Sequence, residues 1–215
     1  MDISYLGHSS FKLKGRSASL VADPFDAKMV GLKYSGVEAD IVTISHDHTD
    51  HNQASAVSGV KKTITGPGEY EVMGISVLGF ASYHDDKEGS LRGNNTIFVI
   101  EVDGLRICHL GDLGHALSEG LVEDIGHIDI LMVPVGGEYT ITAKQAVEVV
   151  QQIEPSIVIP MHYKVPGLAD ATFAKLSGVD EFVKEIGLNS ETLPKLSIKK
   201  EEIGEDQKVV VLEKK

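Results

Sequence analysis

Residues 45–52 read Ser-His-Asp-His-Thr-Asp-His-Asn and follow directly on the apolar run Asp40–Ile44. His46, Asp47, His48, Asp50 and His51 therefore crowd together where a buried strand runs out. Imidazole nitrogen and carboxylate oxygen are the donors that zinc and similar divalent metals select. At a strand end, residues two apart point the same way, so His46 and His48 can converge on one ion. Asp50 and His51, on the turn that follows, can serve a second ion beside it. The bland alternative, a polar loop, leaves this density of donors after a buried strand unexplained.

The rest of the chain reads as a sheet-builder that gains helices late. Alternating or apolar runs broken by turn residues predict strands at Asp2–Leu6, Ser10–Lys14, Ser17–Ala22, Glu69–Val72, Ile75–Phe80, Thr96–Val102 and Leu105–Leu110. Asp103-Gly104 marks a tight hairpin. Ile128–Val133 and Ser156–Pro160 read as buried strands flanking a helix in which Ala146, Val149, Val150 and Ile153 share one face, capped by Thr142 and ended by Pro155. A second helix follows Asp180 and stops at Gly187. Lys195–Lys199 and Lys208–Leu212 read as a last hairpin. With no linker or repeat, residues 1–215 are expected to form a single mixed α/β (α+β) domain with sheet and helices in layers.

The 20 Lys+Arg against 32 Asp+Glu give a formal charge of −12. Such a field disfavours an extended nucleic-acid surface or an anionic membrane partner, and leaves room for a small-molecule substrate. The one cysteine, Cys108, cannot pair within the chain. No signal-like or membrane-spanning apolar stretch stands out, so a cytoplasmic protein is the expectation.

The run His46-Asp47-His48-Thr49-Asp50-His51 matches the HxHxDH signature of the metallo-β-lactamase superfamily, which the chain resembles from Asp2 to at least Tyr163. The family's later ligands are matched in order by His84 in FASYHDD, Asp112 in ICHLGDLGH and His162 in IVIPMHY; Asp23 in LVADPF matches its supporting aspartate. The resemblance implies a four-layer αβ/βα sandwich of two pseudo-symmetric halves. It implies two divalent ions, Zn2+ with Mn2+ or Fe2+ as alternatives, held by His46, His48 and His84 and by Asp50, His51 and His162, with Asp112 between them. His48 favours zinc, because diiron relatives usually carry glutamate there. Asp23 is expected to hydrogen-bond a ligand histidine, and Asp50 to take a catalytic role toward the attacking water. Leu113 stands where many relatives carry threonine.

Weaker signals surround this set. His115, Gly137 (with Gly136, before a helix), Arg92 and Lys164 are candidate substrate contacts. His8, in Gly-His-Ser-Ser-Phe, is open to two readings, a partner of the ligand residues or a simple turn residue, with the turn favoured; His109 and His127 have less to suggest a role, and Cys108 reads as a small buried residue in a strand. The expected function is a dinuclear metal-dependent hydrolase using a metal-bridging hydroxide on a small, anionic ester, lactone or phosphodiester. Two alternatives stand beside it: a non-catalytic, metal-stabilised binding or scaffolding protein, and a nuclease. Two carboxylates against two divalent ions would leave the site locally positive in an acidic protein.

Overall fold

The computed structural model describes residues 1–215. Strands β1 (Asp2–Gly7), β2 (Ser10–Lys14) and β3 (Ser19–Ala22) form an antiparallel meander. After the one-turn helix α1 (Ala27–Val30) and the short β4 (Val37–Glu38), the chain returns as β5 (Ile41–Thr43), which pairs parallel to β3. The small β6 (Val57–Ser58) pairs with β4, and β7 (Lys62–Ile64) lies parallel to β5.

The second half repeats this plan. Strands β8 (Gly68–Val72), β9 (Ile75–Tyr83), β10 (Asn94–Val102) and β11 (Leu105–His109) run antiparallel in sequence. Asp103 and Gly104, at φ 54° and 81°, make the β10–β11 turn, where both central residues need a left-handed backbone. Helix α2 (Glu119–Ile125) then leads to β12 (Ile130–Pro134), helix α3 (Ala143–Ile153) and β13 (Ile157–Met161), with β11, β12 and β13 parallel. Helices α4 (Asp170–Phe173) and α5 (Val179–Ile186) precede β14 (Ser190–Leu193), β15 (Leu196–Ser197) and β16 (Lys208–Leu212). One sheet has the order β15-β1-β2-β3-β5-β7, the other β14-β16-β13-β12-β11-β10-β9-β8.

Period-2 patterning splits β3 between two cores. Leu20 and Ala22 of β3 join the large cluster shared by the two sheets, whereas Val21 between them joins a smaller one with Phe25, Val30, Leu168 and Phe173. Helix α3 turns Ala146, Val149, Val150 and Ile153 onto the second sheet and packs beside α5. Its Thr142 hydroxyl accepts from Gln145 N–H while the Gln145 side chain accepts from Thr142 N–H, a reciprocal cap that fixes the start. The result is the expected layered sandwich, helices outside and sheets facing within. No helix is long and apolar enough to cross a membrane.

The tail departs from the expected hairpin. Ser197 and Leu196 pair with Asp2 and Ile3 at the edge of the first sheet, while β16 pairs parallel with β13 and β14 in the second. Alternation predicts that a segment is a strand and leaves its partner unspecified; here each segment closes a different sheet. Helices α1, α2 and α4 and strands β7 and β14, absent from the sequence reading, are too short for their periodicity to stand out.

Candidate metal centre

Every residue of the expected donor set lies just past the C-terminal end of a strand. His46, His48, Asp50 and His51 follow β5, His84 follows β9, Asp112 follows β11, and His162 follows β13. Both sheets thus deliver side chains to one edge of the sandwich. His46, His48 and His84 bring their donor atoms within 4.8 Å of one another, and so do Asp50, His51, His162 and His8. Asp112 stands between the two groups. Its Oδ2 is 3.3 Å from His84 Nε2, 3.3 Å from His51 Nε2, 3.2 Å from His162 Nε2 and 3.9 Å from His46 Nε2.

Proton bookkeeping sets two of the imidazoles. The buried Asp23 carboxylate accepts the Ser45 N–H at 2.8 Å, the Ser45 hydroxyl at 2.6 Å and His51 Nδ1–H at 2.8 Å. The Ser45 hydroxyl has one hydrogen, given to Asp23, so it accepts from His46 Nδ1–H at 2.9 Å. Asp23 therefore orients His51 directly and His46 through Ser45, and both rings turn Nε2 toward Asp112. His46 Nε2, His51 Nε2, His162 Nε2 and Asp112 Oδ1 are buried with no aligned hydrogen-bond partner. Buried polar atoms are ordinarily satisfied, so a convergent set of unpartnered nitrogen and oxygen donors is what divalent ions would fill. The residues present fit the metal that this donor chemistry implies.

The charges of the donor groups act strongly on one another. Burial alone would raise the Asp112 carboxyl, but His162 and His51 beside it hold it well below the usual range. Burial would lower His51; Asp112 and Asp50 outweigh that and raise it well above the ordinary imidazole range. Burial pushes His46 down to about 3, with His51 adding to the effect. Asp50 is pulled below its ordinary value by His51 and His8 against the opposing effect of burial.

Residues outside the motif shape the loops. Asn95 of β10 accepts Asp112 N–H at 3.0 Å on its Oδ1 and donates to Leu110 O at 2.9 Å and Ser82 Oγ at 2.8 Å. Gly111, at φ 57°, lies so close to Asn95 and Ser45 that a Cβ would collide with both. Leu113, in place of the family's threonine, is buried in the core. Asp85 accepts N–H groups from Lys87, Gly89, Leu91 and Arg92, which winds residues 85–92 into a loop over the site.

That loop carries Leu91 and Arg92 to the mouth of a cavity of about 400 Å³ whose floor includes His48, Asp50, His84, Asp112 and His162, with Met29, Tyr139, Thr172 and Phe173 in its walls. Arg92 stacks over the Tyr139 ring at 5.6 Å. The other candidate contacts lie elsewhere. His115 has both nitrogens committed, Nδ1–H to Ala116 O and Nε2 to Tyr83 N–H, and lines a separate cavity. Lys164 is tied to Asp170 and Ala174 O. Gly137 makes a left-handed turn, φ 80°, five residues before the helix cap at Thr142, and its loop contributes Tyr139 to the cavity instead. His109 braces the loop, donating from Nε2 to Ser9 O and accepting Gly111 N–H at Nδ1. His127 pairs with Asp129, and Cys108 is a free, buried residue of β11. His8 is the residue the sequence reading undervalued: it is fully buried beside Asp50 and His162.

Comparison with known proteins agrees with this architecture. The family profile described as a beta-lactamase superfamily domain matches residues 2–162. The UPF0173 metal-dependent hydrolase of Thermococcus onnurineus is 30% identical over 223 residues, covering 90% of this chain and 95% of that one. The crystal structure of a proposed Zn-dependent hydrolase of the metallo-β-lactamase superfamily from Thermotoga maritima superposes with a TM-score of 0.78 at 38% identity, covering 98% and 97% of the two chains. A metallo hydrolase from Ignicoccus hospitalis shares the fold, with a TM-score of 0.66 at 21% identity over 86% of this chain and 90% of that one. The chain belongs to the metallo-β-lactamase superfamily. It is a metal-dependent hydrolase of that fold, with a His/Asp cluster suited to the metal.

Proposed function

We propose that residues 1–215 form a single-domain, dinuclear hydrolase of small anionic esters, lactones or phosphodiesters. His46, His48 and His84 would hold one zinc ion, Asp50, His51 and His162 the other, and Asp112 would join them. The observation that carries the reading is the place of Asp112 Oδ2, 3.2–3.3 Å from imidazoles of both donor groups. Bound ions would make water a nucleophile near neutral pH and stabilise charge on the departing oxygen.

The chain's own groups do the rest. Asp23 and Ser45 hold the His51 and His46 rings so that Nε2 of each faces the place a metal would take. Asp50, lining the cavity, accepts a proton from the attacking water in addition to its ligand role. Arg92, held over Tyr139 at the rim, faces the anionic group, and Met29, Leu91 and Phe173 shed water from the rest of the substrate. The cavity suits a small molecule, and the overall negative charge argues against a polynucleotide. The test is metal content together with hydrolysis of bis-p-nitrophenyl phosphate and a panel of esters and lactones. Two metal equivalents, with near-total loss of hydrolysis in His48→Ala and Asp112→Ala, is the expected result; retained turnover in both variants would remove the mechanism.

A further inference from the structure

We propose that His8 is a positioning residue of the metal centre, setting the orientation of Asp50 from the β1–β2 turn. The inference rests on the reading of Asp50, His51 and His162 as one donor group. His8 adopts φ 57° next to Gly7 at φ 111°, a left-handed backbone uncommon for a residue with a Cβ. Its carbonyl is clamped twice, accepting His162 N–H at 2.9 Å and the Tyr5 hydroxyl at 2.8 Å. The turn is thus bonded to the backbone of a residue in the donor set. Its ring is wholly buried, with centroids 4.2 Å from His162, 4.9 Å from Phe173 and 5.0 Å from His51.

An apolar ring would pack against Phe25 and Phe173 without the cost of desolvating two nitrogens. The imidazole uses one of them: Nε2–H donates to Asp50 Oδ2 at 3.1 Å, while Nδ1 has no partner. For Asp50 this contact is decisive. Asp23 is fixed by three hydrogen bonds and Asp85 by four, whereas the Asp50 carboxylate makes one, to His8. Asp50 lies on the turn after β5, so its side-chain direction is set across the fold by a residue 42 positions earlier. Partners of metal-ligating groups orient them, and losing one lowers metal affinity.

The experiment compares His8→Asn and His8→Gln with the wild type, using Zn2+ titration against a chromophoric chelator to resolve each binding equivalent. Asparagine tolerates the left-handed backbone but is too short to reach Asp50; glutamine places an amide N–H near the position of Nε2. The expected result is that His8→Asn weakens one of two equivalents by roughly 10–100-fold and leaves the other unchanged, while His8→Gln restores it. Wild-type affinities for both equivalents in His8→Asn would overturn the proposal, as would equal weakening of both equivalents in the two variants, which is what a packing role alone produces. A wild-type protein that binds a single equivalent would instead overturn the two-ion reading, and this inference with it.

Discussion

Asp23 accepts His51 Nδ1–H at 2.8 Å while the opposite nitrogen of the same ring, Nε2, lies 3.3 Å from Asp112. One carboxylate therefore determines which nitrogen of His51 is offered to a metal, and through Ser45 it does the same for His46. Asp23→Ala is expected to weaken Zn2+ binding by roughly 10–100-fold, with a smaller loss for Ser45→Ala, which removes the acceptor of His46 and only one of the three hydrogen bonds to Asp23. Chelator competition measures both; an unchanged affinity in Asp23→Ala would show that packing alone holds the rings.

Ligand removal should also register as stability. A metal that binds only the folded chain contributes about 2.7 kcal/mol at a free concentration 100 times its Kd. The melting temperature should fall on treatment with a strong chelator, recover with added Zn2+, and respond much less in Asp112→Ala. A Tm indifferent to metal in the wild type would contradict a folded-state site.

Arg92 is exposed at the rim, so its contribution should appear in substrate binding and leave the metal alone. Arg92→Gln is expected to raise KM for an anionic substrate by about tenfold, equivalent to about 1.4 kcal/mol, with little change in kcat. An uncharged ester should show no such change. Equal losses for charged and uncharged substrates would assign Arg92 to the shape of the 85–92 loop.

Asp129 offers a pH test remote from the site. It is buried, and accepts from Lys200 Nζ at 2.6 and 2.8 Å, from Arg106 N–H at 2.9 Å and from His127 Nε2 at 3.1 Å. Burial would raise its carboxyl, but Lys200 and the other donors hold it below its ordinary value of 3.8. A depressed folded-state pKa means stability that is present above the unfolded value and lost as pH falls through the folded one. Asp129→Asn should cost about 1.5–3 kcal/mol near neutrality and lose less on acidification than the wild type. Urea midpoints at pH 7 and near pH 3 test this; parallel losses in both proteins would exclude Asp129 as a contributor to acid unfolding.

Much of the donor set was legible because metal chemistry leaves a dense trace. His46, His48, Asp50 and His51 sit within one short loop, whereas His84, Asp112 and His162 are scattered shortly after apolar runs and were singled out by the family resemblance. Arg92 was legible as a charge near His84, although its pairing with Tyr139 was not. Asn95 was missed, since a lone amide inside a strand carries no pattern. His115 and His8 exchanged importance. His115 is three residues from Asp112 yet bonds Tyr83 and Ala116, whereas His8 is far from every motif in sequence and touches two members of it in space.

The sequence by itself determined most of the longer strands, the α3 cap and the His46–His51 donor cluster, because periodicity, capping and ligand type are local properties of the chain. Tertiary structure decided what depends on distant segments meeting. It sent Leu196–Ser197 and Lys208–Leu212 to different sheets, put Asn95 under Asp112, and swung the β1–β2 turn onto His162 so that His8 reaches Asp50. Strand alternation fixes a buried face without naming a partner, and a hydrogen bond spanning 42 residues exists only once the first sheet has brought the ends of β1 and β5 to a common edge.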